Sequence, residues 1–115
     1  MHNFNDLFNP NLFNESLRID NFDSQNLIDY FKLINKIRLI EYHLAKERRK
    51  GTIGGPVHLG IGQEAIAVGL SANLTSSDYV FGAHRSHAHL IALGSSIKGL
   101  FAEILGKETG LSKGM

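Results

Sequence analysis

Four of the six histidines in this 115-residue chain fall in its second half: His58, His84, His87 and His89. The run His84-Arg85-Ser86-His87-Ala88-His89 poses two chemistries, metal ligation and anion recognition. For a metal, His84 and His87 at helical i, i+3 spacing share one face, but His89 points elsewhere. Histidine pairs that hold zinc also need a carboxylate or a third imidazole, and none is placed nearby, so no metal ligands are assigned. A metal-binding regulator built on His84, His87 and His89 is kept as an alternative. For an anion, Arg85 falls where a short strand ends and a helix begins, so a guanidinium fork and free backbone N–H groups would share one space. His84 and Ser86 add donors, and the set suits one end of a diphosphate. The blander alternative is a structural arginine beside histidines that cap a helix or pack on carbonyls. His58 sits in a glycine-bearing loop where backbone can approach a ligand closely, and Pro56 fixes the entry to it. A lone loop histidine is more often structural.

Other chemistries are excluded by what the chain lacks. There is no GxxxxGK[ST] phosphate loop, and Gly60-Ile61-Gly62-Gln63-Glu64 lacks the third glycine of a dinucleotide fingerprint. No closely spaced carboxylate pair suggests a glycosidase. The absence of cysteine removes disulfides, zinc ribbons, iron–sulfur sites and thiol nucleophiles. Lys and Arg total 12 against 11 Asp and Glu, and a formal charge of +1 gives no reason to expect nucleic acid or an anionic membrane as a partner. No apolar run approaches the ~20 residues of a membrane span. The start has neither a secretory nor a transit pattern, so a cytoplasmic protein is expected. Hydrophobic residues make up 43%, enough for one small core.

The elements that must position these side chains differ between the two halves. All 12 glycines lie from Gly51 onward, whereas asparagines crowd the start. Residues 1–22, with Phe4, Phe8, Phe13 and Phe22 among asparagines, hold no period and read as an irregular arm. Asp23 or Ser24 caps a helix over 24–50, closed by Gly51. Leu27, Tyr30, Phe31, Ile34, Ile37 and Glu41 trace its packed face, widened by Leu33, Ile40 and Leu44. Lys46, Arg48, Arg49 and Lys50 form a solvated basic end. Residues 51–62 (GTIGGPVHLGIG) are a glycine-rich loop. A helix–strand–helix–helix segment is expected over 63–106. Its first helix covers 63–74, packing through Ala65, Val68, Gly69 and Ala72. A turn at 76–78 leads to a buried strand, Tyr79–Phe81, then to helices over 85–93 and from 95 or 96 to 105.

Placed together, these residues resemble a known family. The run Pro56 to Gly69 (PVHLGIGQEAIAVG), the segment Asp78 to His87 (DYVFGAHRSH) and the downstream AEILGKETGLSKG closely resemble the alpha subunit of thiamine-diphosphate-dependent 2-oxo acid dehydrogenases. The likeness extends from about Ile34 to Met115, and three linked motifs in order make it specific. It implies an α/β fold: the N-terminal, mostly helical portion of a three-layer α/β/α thiamine-diphosphate-binding domain, incomplete in this chain. It also implies a heterotetramer with a beta subunit, the cofactor thiamine diphosphate with magnesium, decarboxylation of a 2-oxo acid, and transfer of the acyl unit to a lipoyl-bearing acyltransferase.

Carried over by motif, His58 matches the histidine beside the reacting carbon, and Arg85 matches the arginine that binds the diphosphate. His84 stands where many members have a tyrosine, and an imidazole can donate the same kind of bond. Two departures bear on substrate. Pro56 replaces an aromatic residue, and the His-Arg pair is familiar from the acetoin dehydrogenase branch. The GDG…N segment that ligates magnesium is absent from these 115 residues. The chain is therefore expected to be the N-terminal part of an alpha subunit, inactive alone. The rival expectation is a non-catalytic helical interaction module that keeps the family's subunit contacts.

Overall fold

The computed structural model of the chain describes residues 9–14, 16 and 19–115. Phe4 and Phe8 of the expected arm lie outside the described residues. What is described of that arm is a 3₁₀ turn at Pro10–Phe13, capped by the Asn9 side chain, and then Ile19 and Phe22, which are exposed.

Helix α1 spans Ser24–Arg49. The Asp23 carboxylate accepts the Asn26 N–H at 2.8 Å, satisfying one of the orphan donors at its start. At the other end Gly51 takes φ +80. There the Gly51 N–H bonds to the Arg48 carbonyl and the Thr52 N–H to the Glu47 carbonyl, the paired closure that a left-handed residue makes possible. Three shorter helices follow: α2 (Glu64–Ser71), α3 (His87–Ala92) and α4 (Ile97–Ile104). The same glycine closure ends α3 at Gly94 and α4 at Gly106.

Ile37, Ile40 and Leu44 of α1 pack with Ile53, with Ala67 and Val68 of α2, with Ala88 and Ile91 of α3 and with Leu100 of α4. The packed face of α1 is therefore its C-terminal half. Tyr30 and Phe31, expected on that face, are exposed, because the short helices reach only the later turns. The phase of α2 also differs from expectation. Ala67 and Val68 are buried, whereas Ala65, Gly69 and Ala72 face outward, because α2 is anchored through buried Glu64 at its first turn.

The expected strand Tyr79–Phe81 does not form, and there is no strand among the described residues. Tyr79 is 88% and Phe81 94% exposed. A strand needs a neighbour to take its N–H and C=O groups, and the described residues offer only helices and loops. The turn before it is present: the Asp78 carboxylate accepts from the Thr75 backbone and hydroxyl at 2.6 and 2.8 Å. That pair of bonds holds the Asp78 carboxyl below its ordinary range. After α4, residues 107–115 fold back on the helix. The Glu103 carboxylate accepts the Ser112 and Gly114 N–H groups at 2.7 and 3.0 Å. No helix among the described residues is long and apolar enough to cross a membrane.

Candidate functional site

His58 is presented by alternation. Val57 and Leu59 are half-buried against the core, while His58 between them is exposed. There it meets His84, with ring centroids 5.3 Å apart and planes inclined at 58°. The two histidines lie 26 positions apart in the sequence, and the fold brings them together.

Arg85 follows at φ +64, in the left-handed region that costs a side-chain-bearing residue on the order of 1–2 kcal/mol. That reversal corrects the expected helix over 85–93, which instead begins at His87. The Arg85 side chain is exposed, and among the described residues no carboxylate pairs with it. The Ser86 hydroxyl, expected to face an anion, is committed to its own turn: it donates to the Ala83 carbonyl at 2.8 Å. The tightness of that turn requires Gly82, where a Cβ would stand 2.5 Å from the Ser86 Oγ.

Two buried carboxylates hold this arrangement, Glu41 from α1, outside the sequence motifs, and Glu64 from within the first of them. The Glu41 side chain is fully buried in α1. Its Oε2 accepts the Gly60 N–H at 3.2 Å, two residues after His58. Its Oε1 lies 3.3 Å from His87 Nδ1, two residues after Arg85. The Arg85 carbonyl also faces Gly60, 3.9 Å from where a Cβ would stand there. Glu64 ties α2 to α1. The Arg38 guanidinium donates to it through Nε and, at 2.7 Å, through Nη2 in a two-pronged pair. The Gly62 N–H adds bonds of 3.1 Å to both oxygens. Arg38 first, then the backbone donors, hold the Glu64 carboxyl down at about 2 against desolvation, and the same pairing raises the Arg38 guanidinium.

The histidines of 84–89 do not converge on one point. His84 faces His58, His87 faces Glu41, and His89 lines a separate groove with Val80, Ala83 and Leu93. Among the described residues no three His, Asp or Glu side chains are grouped as metal ligands would be, and His84, His87 and His89 face three different ways. The arrangement can present two imidazoles to an anion, followed in the chain by an exposed Arg85 that no carboxylate pairs among the described residues. Glu41 carried one visible signal, a carboxylate in the apolar stripe of Ile37, Ile40 and Leu44. Arg38 and Glu64, far apart in the chain, carried none.

Comparison with known proteins follows this geometry. The family of the dehydrogenase E1 component matches residues 32–115. The alpha subunit of acetoin:2,6-dichlorophenolindophenol oxidoreductase from Bacillus subtilis is 44% identical over 85 residues, which is 74% of this chain and 25% of that protein. The pyruvate dehydrogenase E1 component subunit alpha of Rhizobium meliloti is 38% identical over 96 residues, 84% of this chain and 28% of its own length. A mitochondrial pyruvate dehydrogenase E1 subunit alpha-1 of Arabidopsis thaliana is 35% identical over 91 residues, 79% of this chain and 23% of its own. The chain thus spans about a quarter of the length of these relatives. No solved structure matches it. With the match running through the glycine-rich loop, the His84–Arg85 reversal and the folded-back tail, the chain belongs to the dehydrogenase E1 component family.

Proposed function

We propose that this chain forms the diphosphate-facing part of the alpha subunit of a thiamine-diphosphate-dependent dehydrogenase. In this reading Arg85 and His84 bind the diphosphate, and His58 contacts the substrate at the reacting carbon. The observation that carries it is the juxtaposition of His58 and His84 at 5.3 Å, with the next residue in the chain, Arg85, exposed and without a carboxylate partner among the described residues. Such a set of donors fits a doubly anionic group. It does not fit magnesium, for which the described residues offer no cluster of ligands. The bound cofactor would serve as the electron sink for decarboxylation. This chain's residues hold the anion and orient a ketone beside His58.

The wider reading follows from the relatives. The segment would belong to a three-layer α/β/α domain, the site would be completed by a beta subunit, and the acyl unit would pass to a lipoyl-bearing acyltransferase. The substrate would be a 2-oxo acid or acetoin; similarity to an acetoin oxidoreductase subunit and to pyruvate dehydrogenase subunits supports both. The test is thiamine diphosphate titration by calorimetry of the whole reading frame, co-expressed with its beta subunit, with and without Arg85→Ala. The reading expects a loss of roughly 10- to 100-fold in affinity, the worth of one or two charge-assisted hydrogen bonds. Unchanged affinity rejects it.

A second reading, the non-catalytic interaction module, draws on the apolar groove along α1. Phe31 and Leu39 line it and are 67% and 68% exposed. It expects the reading frame to stop after Met115, and a frame continuing into a magnesium-ligand segment favours the enzyme.

A further inference from the structure

We infer that Glu41 is the positioning residue of this site, one carboxylate that sets the separation between His58 and the His84–Arg85 pair. The inference rests on the assignment of those three residues to the cofactor-facing set. His58 rides on a loop without regular structure whose neighbours Val57 and Leu59 pack on the core, and Arg85 sits in a left-handed reversal that its own backbone disfavours. Glu41 adds the one hold common to both segments, through the Gly60 N–H at 3.2 Å on one side and His87 Nδ1 at 3.3 Å on the other. The carboxylate itself is fully buried on α1, on the same face as Ile37, Ile40 and Leu44. One fixed group bonded to both segments makes their spacing a property of α1 rather than of the loops.

The contact also dictates the state of His87. With Glu41 ionised, its carboxylate can only accept, so a neutral His87 bonded to it carries its hydrogen on Nδ1. Replacing Glu41 by glutamine reverses this. The Gly60 N–H is an obligatory donor, so the amide oxygen must face Gly60 and the amide NH₂ must face His87. The imidazole then has to accept at Nδ1 and move its hydrogen to Nε2. A residue that merely fills space would not command that exchange.

The experiment is long-range ¹H–¹⁵N spectroscopy of the histidines in the 115-residue chain and its Glu41→Gln and Glu41→Ala variants. Expected are a hydrogen on Nδ1 of His87 in the parent and on Nε2 in Glu41→Gln, with the cross-relaxation between the His58 and His84 rings kept. In Glu41→Ala, where both holds are gone, that ring–ring signal should fall at least about threefold, because cross-relaxation decays with the sixth power of distance. A folded Glu41→Ala with the parent's ring–ring signal overturns the inference, and so does a Glu41→Gln in which His87 keeps its hydrogen on Nδ1. If Glu41→Ala does not fold, the tautomer in Glu41→Gln decides alone. Neither readout uses cofactor, so a failure of thiamine diphosphate binding is recognised separately.

Discussion

The Glu41 carboxylate and the Gly60 N–H meet at 3.2 Å inside the protein, joining the middle of a long helix to a loop that has no regular structure of its own. A glycine-rich segment is free to take many shapes, and this bond selects one of them. Its partner contact to His87 does the same for the start of α3. The stability of the core and the geometry of the candidate site therefore share a residue.

Truncation of that residue should be costly. Glu41→Ala leaves a buried Gly60 N–H unsatisfied and opens a cavity among Ile37, Ile40 and Leu44. We expect a loss of about 3 kcal/mol in urea unfolding. Glu41→Gln, which keeps the Gly60 bond and the volume, should lose less than half as much.

The Arg38–Glu64 pair makes stability acid-sensitive. Glu64 is held at about 2 against an ordinary 4.5. A depressed carboxyl contributes stability that is fully present above its unfolded value and lost as pH falls through the folded one. The protein should therefore weaken from about pH 4.5 down to about pH 2. Arg38→Met removes the pairing and, with it, the largest cause of this acid sensitivity, leaving only the backbone donors on Glu64. At neutral pH the variant should be less stable than the parent, by less than a broken fully buried pair would cost, because the Arg38 side chain is 36% exposed. Urea titrations at pH 6, 4 and 3 on both proteins check the slope.

How far the sequence could be read depends on how local each signal is. The ends of α1 are set by Asp23 and Gly51, and capping chemistry is legible within four residues. The juxtaposition of His58 with His84 is not local, and composition alone gave neither residue a partner. The stripe on α1 was legible as a stripe, but which half of it would be covered depended on helices elsewhere. Tyr79–Phe81 has the composition of a buried strand, yet strand formation depends on a neighbour that the described residues do not contain. Arg85 illustrates the reverse case. Nothing in the residue type announces a positive φ, and only the hold on His87 and the tight Gly82–Ser86 turn explain why the chain reverses there.

That reversal yields a contrast between two variants. Arg85→Ala and Arg85→Gly both remove the guanidinium, but only glycine tolerates φ +64 without cost. The glycine variant should be the more stable of the two by about 1 kcal/mol in thermal or urea unfolding. Both should bind thiamine diphosphate equally poorly.

The folded-back tail offers a further check. Glu103 accepts from the Ser112 and Gly114 N–H groups, and Gly110 packs so closely that a Cβ there would lie 2.7 Å from the Glu103 Cα. Glu103→Ala should raise amide hydrogen exchange at Ser112 and Gly114 by roughly tenfold, the worth of one lost hydrogen bond, with α1 unaffected.

The most direct measurement compares two ligands that differ only in their phosphates. Thiamine diphosphate and thiamine are titrated into the complete alpha–beta assembly, with arginine or alanine at position 85. The account predicts that alanine weakens thiamine diphosphate by roughly 10- to 100-fold while leaving thiamine within about twofold. Equal losses for both ligands, or none for either, would contradict a phosphate-binding guanidinium at this reversal.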